Sequence, residues 1–191
     1  MRYTVAVMKL RALPCLLLLS VLTSALPAPA AEEAPVPVGP VTREQIEAAD
    51  PSWAKAQVEA KPEAGAARAL ASVEPGAEVT VFLGTWCEDS RREVPRLWRA
   101  LDEAGGTVAF EVRYIGVDRE KKQPAELVAG SGVQYVPTFI VSRGGREVGR
   151  IVESSPRGIE RDLLALLKGE EKGLVTDRED LKTQGSAKPP L

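Results

Sequence analysis

Residues 78–84, Glu-Val-Thr-Val-Phe-Leu-Gly, constrain the fold of this chain more than any other stretch. Seven residues are too few for a core helix, and a Val-rich, near-continuous apolar run is the mark of a strand covered on both faces. Such cover needs helices, and the neighbouring sequence has them. From Glu88 the apolar spacing changes to a helical one, with Val94, Leu97, Trp98 and Leu101 on one side. Beyond the Gly105-Gly106 break, residues 107–117 read as a second strand, 124–130 as a short helix and 137–143 as a third strand. A turn at Gly144-Gly145 leads to a strand at 146–153, and a last helix after Pro156 carries Ile159, Leu163, Leu164, Leu166 and Leu167. Ahead of the first strand, 43–60 and 65–73 read as helices, with Thr42 as a cap and Pro51 as a break. The order strand, helix, strand, helix, strand, strand, helix predicts a layered α/β fold, a central mixed β-sheet flanked by helices with an N-terminal helical extension.

The ends of the chain are of a different kind. Residues 1–30 combine Arg2, Lys9 and Arg11 with no acidic residue, an apolar run over 15–26 and a small-residue close at Ala28-Pro29-Ala30, which together predict an export signal cleaved after Ala30. The run is interrupted by Pro14, Pro27 and Pro29 and falls short of the roughly 20 apolar residues of a membrane span, so no membrane attachment is expected after cleavage. Cys15 precedes the apolar region instead of following it, which argues against lipidation. Residues 31–42 read as a linker, 43–75 as the helical extension, 76–168 as the main domain and 169–191 as a flexible tail.

Export changes the chemistry open to the rest. Cleavage removes three of the 25 basic residues and none of the 27 acidic ones, leaving a net charge of about −5 and no basic run for nucleic acid. It also removes Cys15, so Cys87 becomes the single thiol of a periplasmic or secreted protein. In an oxidising compartment an unpaired thiol is a liability unless it is buried or used. With no histidine in the chain, His-dependent triads and His-rich metal sites are excluded, and no metal or cofactor is expected. The acidic clusters at 169–173 and 177–180 read as solvated.

Cys87 lies in Thr-Trp-Cys-Glu-Asp-Ser-Arg-Arg-Glu-Val-Pro, residues 85–95, where strand gives way to helix. Free N–H groups and the positive helix end favour thiolate over thiol there, Arg91 and Arg92 adding to the effect and Glu88 and Asp89 opposing it. Trp86 is expected to cover one side of the sulfur. Ser90, one turn on, is placed for its hydroxyl to donate to the thiolate, or else to cap and pack the first turn.

Trp86-Cys87 at the end of the first core strand, Pro95 eight residues after the cysteine, and Val136-Pro137-Thr138 entering a later strand resemble the thioredoxin-like family over roughly residues 76–168. The resemblance implies a thioredoxin fold, a cis Val136–Pro137 bond opposite the cysteine, and a substrate-binding surface formed by Trp86, Val136, Pro137 and Thr138. Two departures stand out. Cys87-Glu88-Asp89-Ser90 replaces the paired cysteines, and Val81 stands where thioredoxins carry a buried acid. A site with Cys87 and Ser90 but no second sulfur cannot release a mixed disulfide by itself and needs an external thiol. The expected partners are therefore protein or small-molecule thiols and disulfides, met by a monomer of monothiol oxidoreductase or isomerase type. The alternatives are a binding module that uses a groove by Trp86, Tyr135 and Pro137, a buried structural cysteine, and a dimer linked through Cys87. Peroxide reduction is disfavoured, because the Pro and Thr/Ser arrangement of peroxidases of this fold is missing ahead of Cys87.

Overall fold

The computed structural model describes residues 37–185; the expected export signal and the outer ends of the expected linker and tail lie outside them. Along the described chain run β1 (Gly39–Val41), α1 (Arg43–Ala49), α2 (Ser52–Glu59), α3 (Ala64–Ala69) continued by a 3-10 turn at Leu70–Ser72, and β2 (Ala77–Leu83). Then come α4 (Glu88–Glu103), β3 (Glu111–Gly116), α5 (Ala125–Val128), β4 (Thr138–Arg143), β5 (Arg146–Val152), α6 (Ile159–Lys168), β6 (Gly173–Val175) and α7 (Glu179–Gly185). The strands form one mixed sheet in the order β1-β3-β2-β4-β5-β6. β2 runs parallel to β3 and antiparallel to β4, and β4 pairs antiparallel with β5 through the Gly144-Gly145 turn. A parallel β2–α4–β3 unit followed by an antiparallel β4–β5 hairpin is the thioredoxin-like arrangement that the resemblance implies.

The pleat sorts side chains to two faces. Val79, Val81 and Leu83 of β2 with Phe139 and Val141 of β4 enter a large cluster, where α1, α2, α3, α4 and α6 contribute Ile46, Trp53, Ala67, Val94, Leu97, Trp98 and Leu163. Phe82, Ile115 and Ile140 point the other way, into a smaller cluster closed by Val117, Val128, Val133 and Val136, with Trp86, Cys87 and Leu127 packed against it. The candidate thiol therefore belongs to the thinly covered face.

Helix α4 carries both the site and much of the large cluster. Its buried positions, Ser90, Glu93, Val94, Pro95, Leu97, Trp98 and Ala100, follow the three-and-four spacing of one helix face. Pro95 lies inside the helix and withholds the N–H that would bond to the Arg91 carbonyl, yet the helix runs on because its apolar face is held by packing. Trp98 anchors that packing, tilted against Trp53 with ring centroids 5.8 Å apart and edge-on to Tyr114 at 6.1 Å. At the chain's entry Thr42 caps α1 in a reciprocal box with Gln45, and α1 ends before Pro51.

Three segments differ from the sequence reading. Gly39–Val41, inside the expected linker, pairs antiparallel with β3, because Gly116 lets the chain approach; a Cβ at Gly116 would meet the Pro37 carbonyl oxygen at 2.1 Å. Residues 107–110 stay outside the strand expected over 107–117, and β3 begins at Glu111. Within the expected flexible tail, Gly173–Val175 adds a parallel strand beside β5 and Glu179–Gly185 forms a helix. Val175 and Leu181 are buried and Thr176 donates to the Val152 carbonyl at 2.9 Å. These anchors are too few to produce an apolar period, but they suffice to dock the segment.

Candidate thiol site

Cys87 is the N-cap residue of α4, in extended conformation, and its carbonyl accepts the first helical bond from the Arg91 N–H at 3.0 Å. A tight turn brings it there, the Cys87 N–H donating to the Gly84 carbonyl at 3.0 Å. Glycine is required at 84 because a Cβ would meet the Trp86 indole at 2.5 Å. The indole thus lies back against Gly84, donates through Nε1 to the Val117 carbonyl at 3.1 Å, and is flanked by Arg119 and Lys121 at 5.5 and 5.7 Å from the ring. Strand β2 ends beneath this turn, with Val81 fully buried in the large cluster.

The sulfur is half-buried and free of any disulfide. Its thiol donates to the Val136 carbonyl at 3.2 Å, across the loop that enters β4. The Val136–Pro137 peptide bond is cis, as the resemblance implies. Val136, Pro137 and Thr138 are all buried, and the group of this loop that meets the sulfur is the Val136 main-chain carbonyl. Thr138, expected at the substrate surface, instead braces the loop, its hydroxyl donating to the Tyr135 carbonyl at 2.7 Å.

Of the two roles open to Ser90, the structure shows the packing one. It is fully buried, and its hydroxyl oxygen accepts the Gly84 N–H at 3.3 Å. Ser90 therefore ties the end of β2 to the first turn of α4, while the hydrogen-bond partner of the sulfur is Val136.

The charges around the turn are largely paired. Arg91 donates to the Thr85 carbonyl and meets Asp50, both at 3.3 Å. Arg92 bridges Asp89 at 2.7 Å and Glu93 at 3.0 Å. Burial pushes the Glu93 carboxyl up, against the opposing pull of Arg92. Asp118, in the loop after β3, is pulled down chiefly by the Gln123 N–H that it accepts.

Three residues frame the loop; Tyr135 belongs to the groove of the binding-module alternative, and the other two have no local sequence signal. Tyr135 precedes Val136, Glu153 donates its N–H to the Pro137 carbonyl at 2.7 Å, and Arg178 sits over the Tyr135 ring at 4.2 Å. Arg178 comes from an acidic cluster that reads as solvated, and only the folded chain brings it here. Among the described residues there is no group of three or more His, Cys, Asp or Glu side chains able to hold a metal, and no helix long and apolar enough to cross a membrane.

No family model matches the chain. A thioredoxin-like protein of Acanthamoeba polyphaga mimivirus is 29% identical over 96 residues, which cover 50% of this chain and 66% of that relative, just under two thirds of its length. A solved structure of a protein of unknown function from Pseudomonas aeruginosa superposes with a TM-score of 0.49 at 16% identity, over 63% of this chain and 84% of that one. Mitochondrial thioredoxin 3 from Saccharomyces cerevisiae, in oxidised form, gives 0.33 at 18% identity over 60% and 98%. The strand order carries the fold without these superpositions. The fold is thioredoxin-like.

Proposed function

We propose that the protein is an exported thiol–disulfide exchange protein acting through Cys87 alone. The observation that supports this best is the setting of the Cys87 sulfur, half-exposed at the N-terminus of α4 and within 3.2 Å of the Val136 carbonyl. A thiolate is the attacking species in such exchange. In the proposed reaction the Cys87 thiol loses its proton to solvent and the sulfur attacks one sulfur of a partner disulfide. The new S–S bond forms as the old one breaks, and the second partner sulfur leaves as a thiolate that takes up a proton. An external thiol then attacks the mixed disulfide, freeing Cys87 and joining the former partner sulfur, or in the other sense joining Cys87 before a second thiol frees it. Ser90, being oxygen and buried, has no part in release. The main chain at Val136 is proposed as the strip against which an extended partner lies, displacing the thiol from that carbonyl.

The purified protein is incubated with a small disulfide or oxidised peptide and run on non-reducing gels. Wild type should accumulate a mixed disulfide that dithiothreitol releases, Cys87→Ala should form none, and Ser90→Cys should release its partner without added thiol. A folded wild type that forms no mixed disulfide sinks the proposal and favours the binding-module reading. Export is tested separately: mass spectrometry of the protein recovered outside the cytoplasm should give an N-terminus at or near Ala31, and a retained Met1 overturns it.

A further inference from the structure

The segment after α6 does more than extend the sheet. Thr176 donates to the Val152 carbonyl at 2.9 Å and accepts the Arg178 N–H at 3.2 Å, which sets Arg178 beside the loop opposite Cys87. There its guanidinium makes three kinds of contact. It lies 4.2 Å from the Tyr135 ring centroid, donates to Glu153 at 2.8 Å, and forks onto Asp180 at 2.6 and 3.0 Å. Glu153 adopts a left-handed conformation with φ 61°, uncommon for a residue with a side chain, and in it donates its N–H to the Pro137 carbonyl at 2.7 Å. Leu174 and Leu181 close the underside, lining with Tyr135, Thr138 and Val152 a cavity of about 130 Å³. An unbroken series of contacts thus runs from Arg178 through Glu153 to Pro137, and from Val136 to the sulfur.

We propose that the segment Gly173–Leu181 is a clamp and that Arg178 is its positioning residue, holding Tyr135–Thr138 so that the Val136 carbonyl stays over Cys87 and admits slender thiol partners in preference to bulky ones. The proposal deepens the exchange reading, since it concerns which partners reach the same sulfur. Arg178 touches no reacting atom. It acts through Tyr135 and Glu153, each of which presents to the loop a group that Arg178 holds from the far side. Because both charges of the Arg178–Glu153 pair are largely shielded and the guanidinium is stacked, the clamp has a definite closed position that loss of either partner releases.

The test is the rate of Cys87 modification by a small reagent, iodoacetamide, and a bulky one, fluorescein maleimide, well below the melting temperature of each variant. Arg178→Ala should raise the bulky-reagent rate about tenfold and the small-reagent rate by no more than about twofold, the size expected for losing one stacked, charge-assisted contact. Glu153→Gln should do the same, and the double variant should go no further than either single one. Arg178→Lys, which keeps the charge but loses the stacked plane and the fork, should recover only part of the wild-type ratio, and Tyr135→Leu should lose part of it without touching the ion pair. An unchanged ratio of the two rates in Arg178→Ala overturns the clamp, as do equal rises with both reagents or additive effects in the double variant. A wild type that is modified but forms no mixed disulfide defeats the exchange reading while leaving the ratio to decide the clamp. If no variant reacts with either reagent, both fail.

Discussion

The two faces of the sheet are built from the same strands, residue by alternate residue, and they differ in what covers them. On one side five helices bury Trp53, Trp98, Phe139, Leu163 and their neighbours, and the aromatic and aliphatic packing leaves no half-exposed sulfur. On the other, Phe82, Ile115 and Ile140 are covered by a four-residue helix and by loops, among them the turn bearing Trp86 and Cys87. The thick face has the burial that stabilises a domain of this size, at about 25 cal/mol per Å² of apolar surface. The thin face leaves the Cys87 sulfur half-buried against the Val136 carbonyl. A reactive group placed on the thick side would be inert, and a stabilising core placed on the thin side would close the site. Helix α4 joins the two, with Trp98 on one side and Cys87 at its tip.

The largest effect should come from cutting into the thick face. Leu163→Ala, or Trp98→Ala, should lower stability in urea by about 3–5 kcal/mol, through lost transfer energy and a cavity. Alkylation of Cys87 at low denaturant should stay at the wild-type rate. A variant that loses stability and also changes the rate in its folded state would show that the faces are coupled and the division wrong.

Ser90 tests the boundary. Buried at the junction, it accepts the Gly84 N–H, so Ser90→Ala should strand that donor and cost about 1–3 kcal/mol. Were Ser90 instead the support of the thiolate, the same variant would slow Cys87 alkylation several-fold with little loss of stability. Measured together, the melting curve and the alkylation rate separate the two roles.

On the thin face, Ile140→Val trims one methyl from the cluster against which Cys87 packs. It should cost about 0.5–1.5 kcal/mol, less than the thick-face variants, and should alter the alkylation rate measurably where they do not. No change in rate would mean that the small cluster does not hold the sulfur.

How far this division could be read from the sequence depends on where each signal lies. The run at 78–84 and the period of α4 are local, so β2 and the start of α4 at Glu88 fall where the pattern puts them. Gly144 and Gly145 both adopt positive φ, as a two-residue hairpin turn asks, and Thr42 caps as its type suggests. Cys87 stands out because it is the one thiol left after the expected cleavage and sits at a strand-to-helix junction. What stayed hidden is held by pairing between distant residues. β1 depends on the bare Cα of Gly116, β6 on the edge of β5, and Ser90's partner on the turn at Gly84. Arg178 is the clearest case, since nothing in Asp177-Arg178-Glu179-Asp180 foretells a ring beneath its guanidinium.

Glu93 should give the smallest effect, and one that depends on pH. It lies on the buried side of α4, where burial holds its carboxyl above the ordinary value of 4.5 despite Arg92. The folded chain therefore keeps this proton to higher pH than the unfolded chain does. Above about pH 4.5 the folded state is the one with more protons bound, so this group makes stability fall as pH rises, until the folded carboxyl itself has ionised. Asp50, Glu63 and Asp118 work in the opposite direction, each pulled down by main-chain N–H groups and so losing stabilisation on acidification. Their contribution is common to wild type and Glu93→Gln and cancels in the difference. Glu93→Gln should accordingly gain stability relative to wild type as pH is raised from about 4.5 toward neutrality, with most of the gain near the lower end if Arg92 holds the carboxylate well. Paired urea titrations across that range measure it. A difference that stays flat, or that runs the other way, would mean that the Arg92 pair outweighs burial and that even the charged residue on the inner side of α4 is fully compensated.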